Sequence, residues 1–398
     1  MKFNKWTLGL AAVGVVSLAS AAQAEETANT VLTALSSTTL SGYVDTSLQW
    51  NFGSGNENTP PYSFGGPSKA DGFNLNVVQI SLEKPLDESE WAAGYRVDLW
   101  AGPDANRLFT QSIDASAEAD FAIRQAYVNL RMPVRNGLDV KVGVFDTIIG
   151  YESVASPNNP NFTRSYGQTI EPQTHTGVLL SYRFNELVSV AAGVANTWGP
   201  VINSRAHGPN LDGNTKAESF KTYMASVAVT APESWGFLAG STVYGGIVSG
   251  FAEGPGENVT SYYAGTTLAT PWNNLRLGAA WDYLDVHNID FGPEDGVAWA
   301  AALYASFQAT EKLSLHGRAE FLDDQAGVFY NPFGPLFGTG YRVWAFTATA
   351  QYDLWQNVLS RVELRWDHSD SSAKVFGGTD EPDAKNSWML IGNIVYKF

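Results

Sequence analysis

The chain has 398 residues, no cysteine and a formal net charge of −16, from 24 basic and 40 acidic residues. The lack of cysteine excludes disulfides, thiol chemistry and a lipid-modified N-terminal cysteine, and the acidic excess argues against nucleic-acid binding. With 38 glycines, 13 tryptophans and only 16% charged residues, the composition is unusual for a soluble protein.

Residues 1–24 predict a secretory signal peptide. Lys2 and Lys5 form a positive start, residues 8–18 are apolar, and Ala22 and Ala24 fit the small-residue rule for cleavage after Ala24. The apolar stretch is too short for a transmembrane helix, and a polar segment follows it. Cleavage would remove two of the 24 basic residues, leave a net charge of about −18, and begin the mature chain with a periplasmic segment at 25–37.

Residues 38–398 show nearly continuous period-two alternation, which predicts β-strands in a single domain. Near the C-terminal third, Leu313, Leu315 and Phe321 alternate with polar residues such as Ser314 and His316. We predict sixteen strands, at 38–52, 73–83, 91–101, 121–132, 138–149, 176–184, 187–197, 219–230, 237–250, 259–269, 274–285, 297–309, 313–322, 341–353, 358–368 and 387–398.

The predicted connections alternate between long and short along the chain. Short ones include 133–137, 185–186 and 310–312, and long ones include 53–72, 150–175, 198–218, 323–340 and 369–386. This asymmetry is typical of an outer-membrane barrel, with short periplasmic turns and long external loops. The predicted fold class is therefore all-β, a closed antiparallel transmembrane β-barrel of about sixteen strands.

The last strand carries the most specific local signal. Trp388, Leu390, Ile394, Tyr396 and Phe398 alternate with polar or small residues, and the chain ends on an aromatic of the outward face. Tyr396 and Phe398 are similar to the C-terminal signature that the barrel-assembly machinery recognises in outer-membrane proteins. The expected location is the outer membrane of a Gram-negative-type bacterium, with outer-membrane lipid around the barrel.

A soluble β-sandwich or propeller is the alternative fold, since its strands also alternate. It would have to hide these apolar faces in a core, and the sequence has no repeat of propeller-blade length. No apolar run of eighteen residues follows the signal peptide, so the sequence does not predict a helical membrane protein. In lipid, only a closed barrel then satisfies the backbone hydrogen bonds of the strands.

One region resembles a known family. It has Gly-Val-Phe-Asp-Thr at 143–147, Gly-Tyr-Glu at 150–152, the segment 158–166 with Asn-Phe-Thr-Arg-Ser-Tyr at its end, and His-Thr-Gly-Val at 175–178. Together with Gln-Ala-Tyr-Val at 125–128 and Ala-Asn-Thr-Trp at 195–198, this pattern resembles the OmpL-like β-barrel porin-2 family. The resemblance implies a barrel in the outer membrane and does not identify a solute.

The resemblance also suggests where the channel narrows. General porins fold the loop after their fifth strand into the lumen, and loop 150–175 is similar in place and length. The candidate constriction residues are Asp146, Tyr151, Glu152, Asn158, Asn161 and Arg164. In the alternative interpretation, Asp146, Glu152 and Arg164 form a structural salt bridge within a packed loop, and both interpretations can hold together.

Charged residues in the strands are expected to face the lumen, because a charge on the lipid face costs a few kcal/mol near the bilayer centre. The candidate wall residues are Arg96, Arg124, Arg131, Arg318, Glu320, Arg342, Arg361, Glu363 and Arg365. Arg318, Arg342, Arg361 and Arg365 are expected to form a basic ladder opposite the loop carboxylates, with a field across the pore. Alternatively, these arginines pair with neighbouring acids and only stiffen the wall.

The sequence does not predict an enzyme, a cofactor or a metal site. His368, Ser369 and Asp370 are adjacent in the chain, but neighbouring side chains of a strand point to opposite faces. The first hypothesis is a porin, a passive diffusion channel for small polar solutes and ions, and a homotrimer is compatible with it. The second is a non-conducting outer-membrane barrel with a structural or adhesive role.

Overall fold

The computed structural model describes residues 37–108, 110, 119–207, 220–255, 258–287, 296–325, 330–331, 334–335, 341–372 and 374–398. The predicted signal peptide and most of the predicted periplasmic segment 25–37 lie outside these ranges. No helix within them has the length and apolar character needed to cross a membrane.

Sixteen antiparallel strands close into a barrel, as the alternation predicts. The strands are β1 (Thr39–Asn51), β2 (Gly72–Lys84), β3 (Ala92–Ala101), β4 (Phe121–Met132), β5 (Leu138–Asp146), β6 (Thr174–Arg183), β7 (Val188–Ala195), β8 (Thr222–Thr230), β9 (Thr242–Phe251), β10 (Asn258–Ala269), β11 (Leu275–His287), β12 (Gly296–Gln308), β13 (Leu313–Gln325), β14 (Tyr341–Trp355), β15 (Val358–Ser369) and β16 (Asn386–Lys397).

The barrel closes between its first and last strands. Tyr43 lies opposite Lys397, and Asn51 lies opposite Met389. The backbone of Phe398 exchanges two hydrogen bonds with Gly42, at 2.8 and 3.0 Å. The Phe398 ring occupies the space beside Gly42 that a side chain would fill, whereas Tyr396 is exposed on the outer face. The chain end is therefore part of the closure.

Side chains alternate between the two faces of the wall. In β13, Leu315 is 44% exposed on the outside, while Ser314, His316, Arg318 and Glu320 point inward and are buried. A membrane barrel needs this arrangement, because its outer face contacts lipid and its inner face contacts polar groups.

One irregularity positions charged side chains inside the barrel. The pairing of β3 with β4 shifts between Asp98 and Leu99, so that Arg124 is an extra residue between two paired ones. Both Arg124 and Gln125 then hydrogen-bond to the Asp98 carboxylate, each at 2.8 Å. The extra residue of a β-bulge redirects a side chain in this way.

Most connections follow the predicted asymmetry, but 252–257 is shorter than predicted and 231–241 is longer. The sequence predicts a short turn at 231–236 and a strand from 237, but residues 231–241 form a longer connection in which two 3₁₀ turns within Glu233–Leu238 meet at a kink at Gly236. Gly236 and Gly240 have positive φ values of 63° and 77° there, which a strand does not allow. β9 therefore begins at Thr242.

The remaining elements lie in the connections. They are helices α1 (Pro103–Asn106) and α2 (Tyr166–Ile170), 3₁₀ helices at Pro67–Lys69 and Ser156–Asn158, and two-residue strands at Ala206–His207, Gly254–Pro255, Tyr330–Asn331 and Gly334–Pro335.

The apolar core of the described residues lies inside the barrel. Its four buried clusters each contain residues from the end of β5 or from the loop that follows it. These residues are Phe145, Ile148, Ile149, Val154, Ala155, Phe162, Tyr166 and Ile170. The loop is thus the element on which the inner side chains pack.

Candidate functional site

Residues 147–173, which connect β5 to β6, fold into the barrel and are called the inner loop. Asn158 is the one exposed residue among them, and most of the others are buried. The inner loop packs against Tyr43 and Trp100 on one part of the wall, Met224 and Val248 on another, and Met389 of β16. It therefore meets the wall on several sides of the lumen.

Local hydrogen bonds give the inner loop its shape. Asn159 forms two with the backbone of Ser153, at 2.6 and 2.7 Å. Arg164 donates to the carbonyl groups of Val154 and Phe162, at 2.6 and 2.8 Å. Ser165 caps α2 by accepting from the Gln168 amide, which satisfies one of the free N–H groups of that helix. Arg164 and Ser165 belong to the family pattern described above.

Glu363 of β15 anchors the middle of the inner loop. Its carboxylate accepts from the Phe162 amide at 2.6 Å, the Thr163 amide at 2.9 Å and the Thr163 hydroxyl at 2.6 Å. The Thr349 hydroxyl donates to it as well, at 2.7 Å. Hydrogen bonds to an ionised group are about twice as strong as neutral ones, so this contact is a firm attachment.

Three arginines of the wall bind inner-loop carbonyl groups. Arg361 donates to the carbonyls of Ser156 and Asn159, at 3.0 and 2.7 Å. Arg365 donates to the Arg164 carbonyl at 2.8 Å, and Arg318 donates to the same carbonyl at 3.2 Å. All three are at most 2% exposed. The inner loop covers these arginines.

Two of these three arginines, Arg318 and Arg365, are paired with acids. Arg318 contacts Glu152 at 2.9 Å and Glu320 at 3.0 Å. Arg365 contacts Asp367 at 2.8 Å and Glu320 at 3.5 Å. Burial of a charge is costly unless it is paired and hydrogen-bonded, and this network meets both conditions for Arg318 and Arg365.

Helix α2 is attached to the acids of this network. The Tyr166 amide donates to Glu320 at 2.6 Å, and the Tyr166 hydroxyl donates to Asp367 at 2.7 Å. Arg365 lies over the Tyr166 ring, 5.0 Å from its centroid, and over the Tyr62 ring at 4.5 Å. The wall therefore holds both the backbone and the side chain of this residue.

The six predicted constriction residues are close in the fold, but they do not all line open space. Tyr151 stacks on Tyr304 with 4.0 Å between ring centroids. Asn161 is 1% exposed and donates to Thr349 at 2.7 Å. Asn158 is the exposed residue of the set.

The alternative salt bridge among Asp146, Glu152 and Arg164 does not form. Asp146 instead pairs with Arg124 at 2.5 Å, and Glu152 pairs with Arg318. Arg164 binds carbonyl groups only and lies over the Phe64 ring. Burial lowers its pKa, with the nearby Glu152 acting in the opposite direction.

The structure contradicts the predicted basic ladder in two respects. Arg342 points to the outer face, beside the outward Trp344 and in register with Asp323, because the alternation of β14 begins on the opposite phase. Arg318, Arg361 and Arg365 do point inward, but they lie beneath the inner loop rather than across a channel from it. The charges of these three residues are satisfied by the loop and by acids, so they cannot form the predicted open field.

Arg96 and Arg131 lie as predicted, on the inner face and near the end of the barrel with the short turns. Arg96 pairs with Glu83 and Asp98, and Arg131 pairs with Asp139. Their side chains are 29% and 28% exposed, so this end of the lumen is more open than the level of the inner loop.

Sequence reasoning missed the contribution of two other loops. Tyr62 and Phe64 from the β1–β2 connection, and Val375 and Phe376 from the β15–β16 connection, are buried against the inner loop or its neighbours. The two connections also meet each other, since Asn58 pairs with Gly377. Aromatic and β-branched residues in otherwise polar loops were the available signal.

Nearly the whole chain matches a known protein family. The family model described as "Putative beta-barrel porin-2, OmpL-like" matches residues 37–398. The chain belongs to this family. The resemblance inferred from the loop motifs is thereby confirmed, and the family together with the barrel fold supports an outer-membrane location. A comparison with curated protein sequences gives no match.

Solved porin structures share the fold. The chain is similar to an anion-selective porin from Comamonas acidovorans, with 12% identity, a TM-score of 0.61, and 91% of this chain and 99% of that one covered. It is similar to the trimer form of OmpT from Vibrio cholerae, with 13% identity, a TM-score of 0.54, and coverage of 91% and 99%. OmpF from Salmonella typhi, in complex with daunomycin, gives 12% identity, a TM-score of 0.53, and coverage of 91% and 97%. At these identities the similarity shows the fold alone.

Proposed function

We propose that the protein is an outer-membrane porin, a diffusion channel for ions and small polar solutes, whose conductance is set by the inner loop. The observation that carries this proposal is a closed sixteen-strand barrel with a polar inner wall and a connection folded inside it. A barrel of this strand number can enclose an aqueous channel. Because the inner loop is nearly all buried, the conductance with the loop in place should be small.

The same burial favours a second candidate, a non-conducting barrel with a structural or adhesive role. Four apolar clusters centred on the inner loop would be a stable filling for such a barrel. The polar attachment points argue for the porin, because Glu363, Arg361 and Arg365 hold the loop by hydrogen bonds that water can replace.

Shortening the inner loop separates the two candidates. The Glu152 carboxylate accepts from the Ser165 amide at 2.9 Å, so these residues are close enough for a short Gly-Ser linker to replace 153–164. Wild type and the shortened variant would be inserted into planar lipid bilayers for single-channel recording. Heat-dependent mobility on gels and circular dichroism would confirm that both are folded barrels.

We expect small conductance steps for the wild type and several-fold larger steps for the shortened variant. Equal steps would show that the inner loop does not set the conductance. A silent wild type with a conducting shortened variant would support the non-conducting barrel, and silence of both folded proteins would refute the porin.

We also propose how the chain reaches its site. It is secreted, cleaved after Ala24 and inserted by the barrel-assembly machinery, which would recognise Tyr396 and Phe398 of the final strand. A homotrimer is the proposed assembly, supported by the trimer form of the similar OmpT structure. Crosslinking of the protein in native membranes would test it, and a monomer alone would contradict it.

A further inference from the structure

Two carboxyl groups meet where the inner loop returns to the wall. Glu171 follows α2, and its carboxyl group is hydrogen-bonded to that of Asp282 in β11. Both residues are buried, at 7% and 4% exposure. A side chain at Gly150 would collide with the Glu171 carboxyl group, and one at Gly167 would collide with that of Asp282. Two glycines of the inner loop therefore leave room for the acid pair.

The acid pair lacks a compensating cation among the described residues. Arg318 of β13, which is separated from β11 by β12, is paired with Glu152 and Glu320. One oxygen of Asp282 is buried without a hydrogen-bond partner. No group of three or more His, Cys, Asp or Glu side chains in the described ranges is placed to hold a metal ion. Since two ionised carboxylates cannot hydrogen-bond to each other, a shared proton accounts for the contact.

We propose that Glu171 and Asp282 share a proton and form a pH-operated latch, which holds the end of the inner loop against the wall and releases it when both carboxyl groups ionise. This inference rests on the proposed function, because the latch would regulate the loop that sets the conductance. Release would move the residues that follow α2 away from β11 and widen the lumen there, while Tyr166 at the start of α2 stays attached to Glu320 and Asp367.

The other charged and titratable groups near the pair do not replace the proton. Glu152, at the start of the inner loop, adds negative charge, although Arg318 neutralises it. The Tyr263 hydroxyl of β10 is buried without a partner, and Tyr304 of β12 donates to Glu152 at 3.2 Å. The latch therefore depends on the two acids themselves.

The direction of the pH dependence follows from burial. Burial raises the pKa of Glu171 well above its ordinary value, and the adjacent Asp282 raises it further. A released, hydrated Glu171 titrates near its ordinary value, so latching takes up a proton. The latched state is then fully favoured below that ordinary value, and the ratio of latched to released protein falls by up to about tenfold per pH unit until the raised pKa is passed.

The test is single-channel recording of the full-length protein at a series of pH values, in EDTA to remove divalent cations. We expect the wild-type open probability to rise with pH, by up to about tenfold per unit. The double variant Glu171→Gln with Asp282→Asn keeps two neutral groups that hydrogen-bond to each other, so its open probability should be low and independent of pH. Glu186→Gln, in an exposed turn, is the matched control and should behave as wild type.

A second measurement, which does not need the double variant, tests the latch if that variant fails to fold. Ser153 lines a small cavity of about 20 Å³ together with Glu171, and the chain has no cysteine of its own. In the variant Ser153→Cys, labelling by a methanethiosulfonate reagent, corrected for thiol ionisation, should increase with pH as the loop is released.

The outcomes are distinguishable. If neither the open probability nor the labelling corrected for thiol ionisation changes with pH, the latch is refuted, whereas the proposed porin function is not affected. Closure by added Ca²⁺ at constant pH, with no pH effect in EDTA, would also overturn it, because the pair would then be a cation site. If no current flows at any pH but labelling still rises, the latch stands and the proposed porin function fails.

Discussion

The attachment at Glu363 gives the sharpest test of how firmly the inner loop is held. Replacement of Glu363 by Gln keeps the size of the side chain but removes its charge and presents an NH₂ group to neighbouring donors. The carboxylate accepts four hydrogen bonds, two of them from the backbone amides of Phe162 and Thr163. The amide oxygen of Gln can keep only part of this set.

The magnitude follows from the bonds that are lost. A hydrogen bond to a charged group contributes about 1.5–3 kcal/mol, so the loss of two of them weakens the attachment by at least about 3 kcal/mol. At about 1.4 kcal/mol per factor of ten, the ratio of attached to released loop should fall by about 100-fold or more. The substitution also removes the negative charge of Glu363 from the neighbourhood of the buried Arg361 and Arg365. Their positive charges are then less compensated when the loop is attached, which weakens the attachment further.

Single-channel recording at fixed pH measures this change as longer or more frequent openings. Asp139→Asn is the matched control, because Asp139 is another inward carboxylate of the wall, which pairs with Arg131 and does not touch the inner loop. We expect the control to keep the wild-type gating. If Glu363→Gln gates like the control while its fold is intact, the carboxylate does not hold the loop and the reasoning is refuted.

Three other predictions concern the N-terminus of the mature chain, the terminal Phe398, and the arginines Arg361 and Arg342. N-terminal sequencing of the envelope protein should begin at Glu25, and an intact Met1 would contradict secretion. Deletion of Phe398 should lower the amount of folded barrel in the outer membrane, because its ring and backbone close the barrel at Gly42; normal levels on a quantitative blot would disprove this. Arg361→Ala should loosen the inner loop and raise open probability more than it changes ion selectivity, whereas Arg342→Ala should change neither. Selectivity is measured from reversal potentials. If Arg361→Ala shifts it strongly while gating is unchanged, the arginines face open water as the basic-ladder interpretation predicts.

The sequence alone determined the barrel. Period-two alternation indicates the strand positions. Successive side chains of a strand point to opposite faces of the wall, and the face in contact with lipid must be apolar. It also placed Arg96, Arg131 and Glu363 on the inner face and put the inner loop after β5. The start of β9 was wrong by a few residues, because the glycines of 231–241 allow a turn that the alternation does not reveal.

Only the tertiary structure decided what the inward charges do. Glu363 and Phe162 are 201 residues apart in the chain, and nothing local to either one indicates their contact. The sequence showed that Arg318, Arg361 and Arg365 face inward, but whether they line water or lie beneath a loop depends on where that loop settles. The pairing of Glu171 with Asp282 is of the same kind, since each acid alone looks like an ordinary polar residue. A strand fixes the direction of its own side chains, whereas the partner across the lumen is set by the packing of the whole barrel.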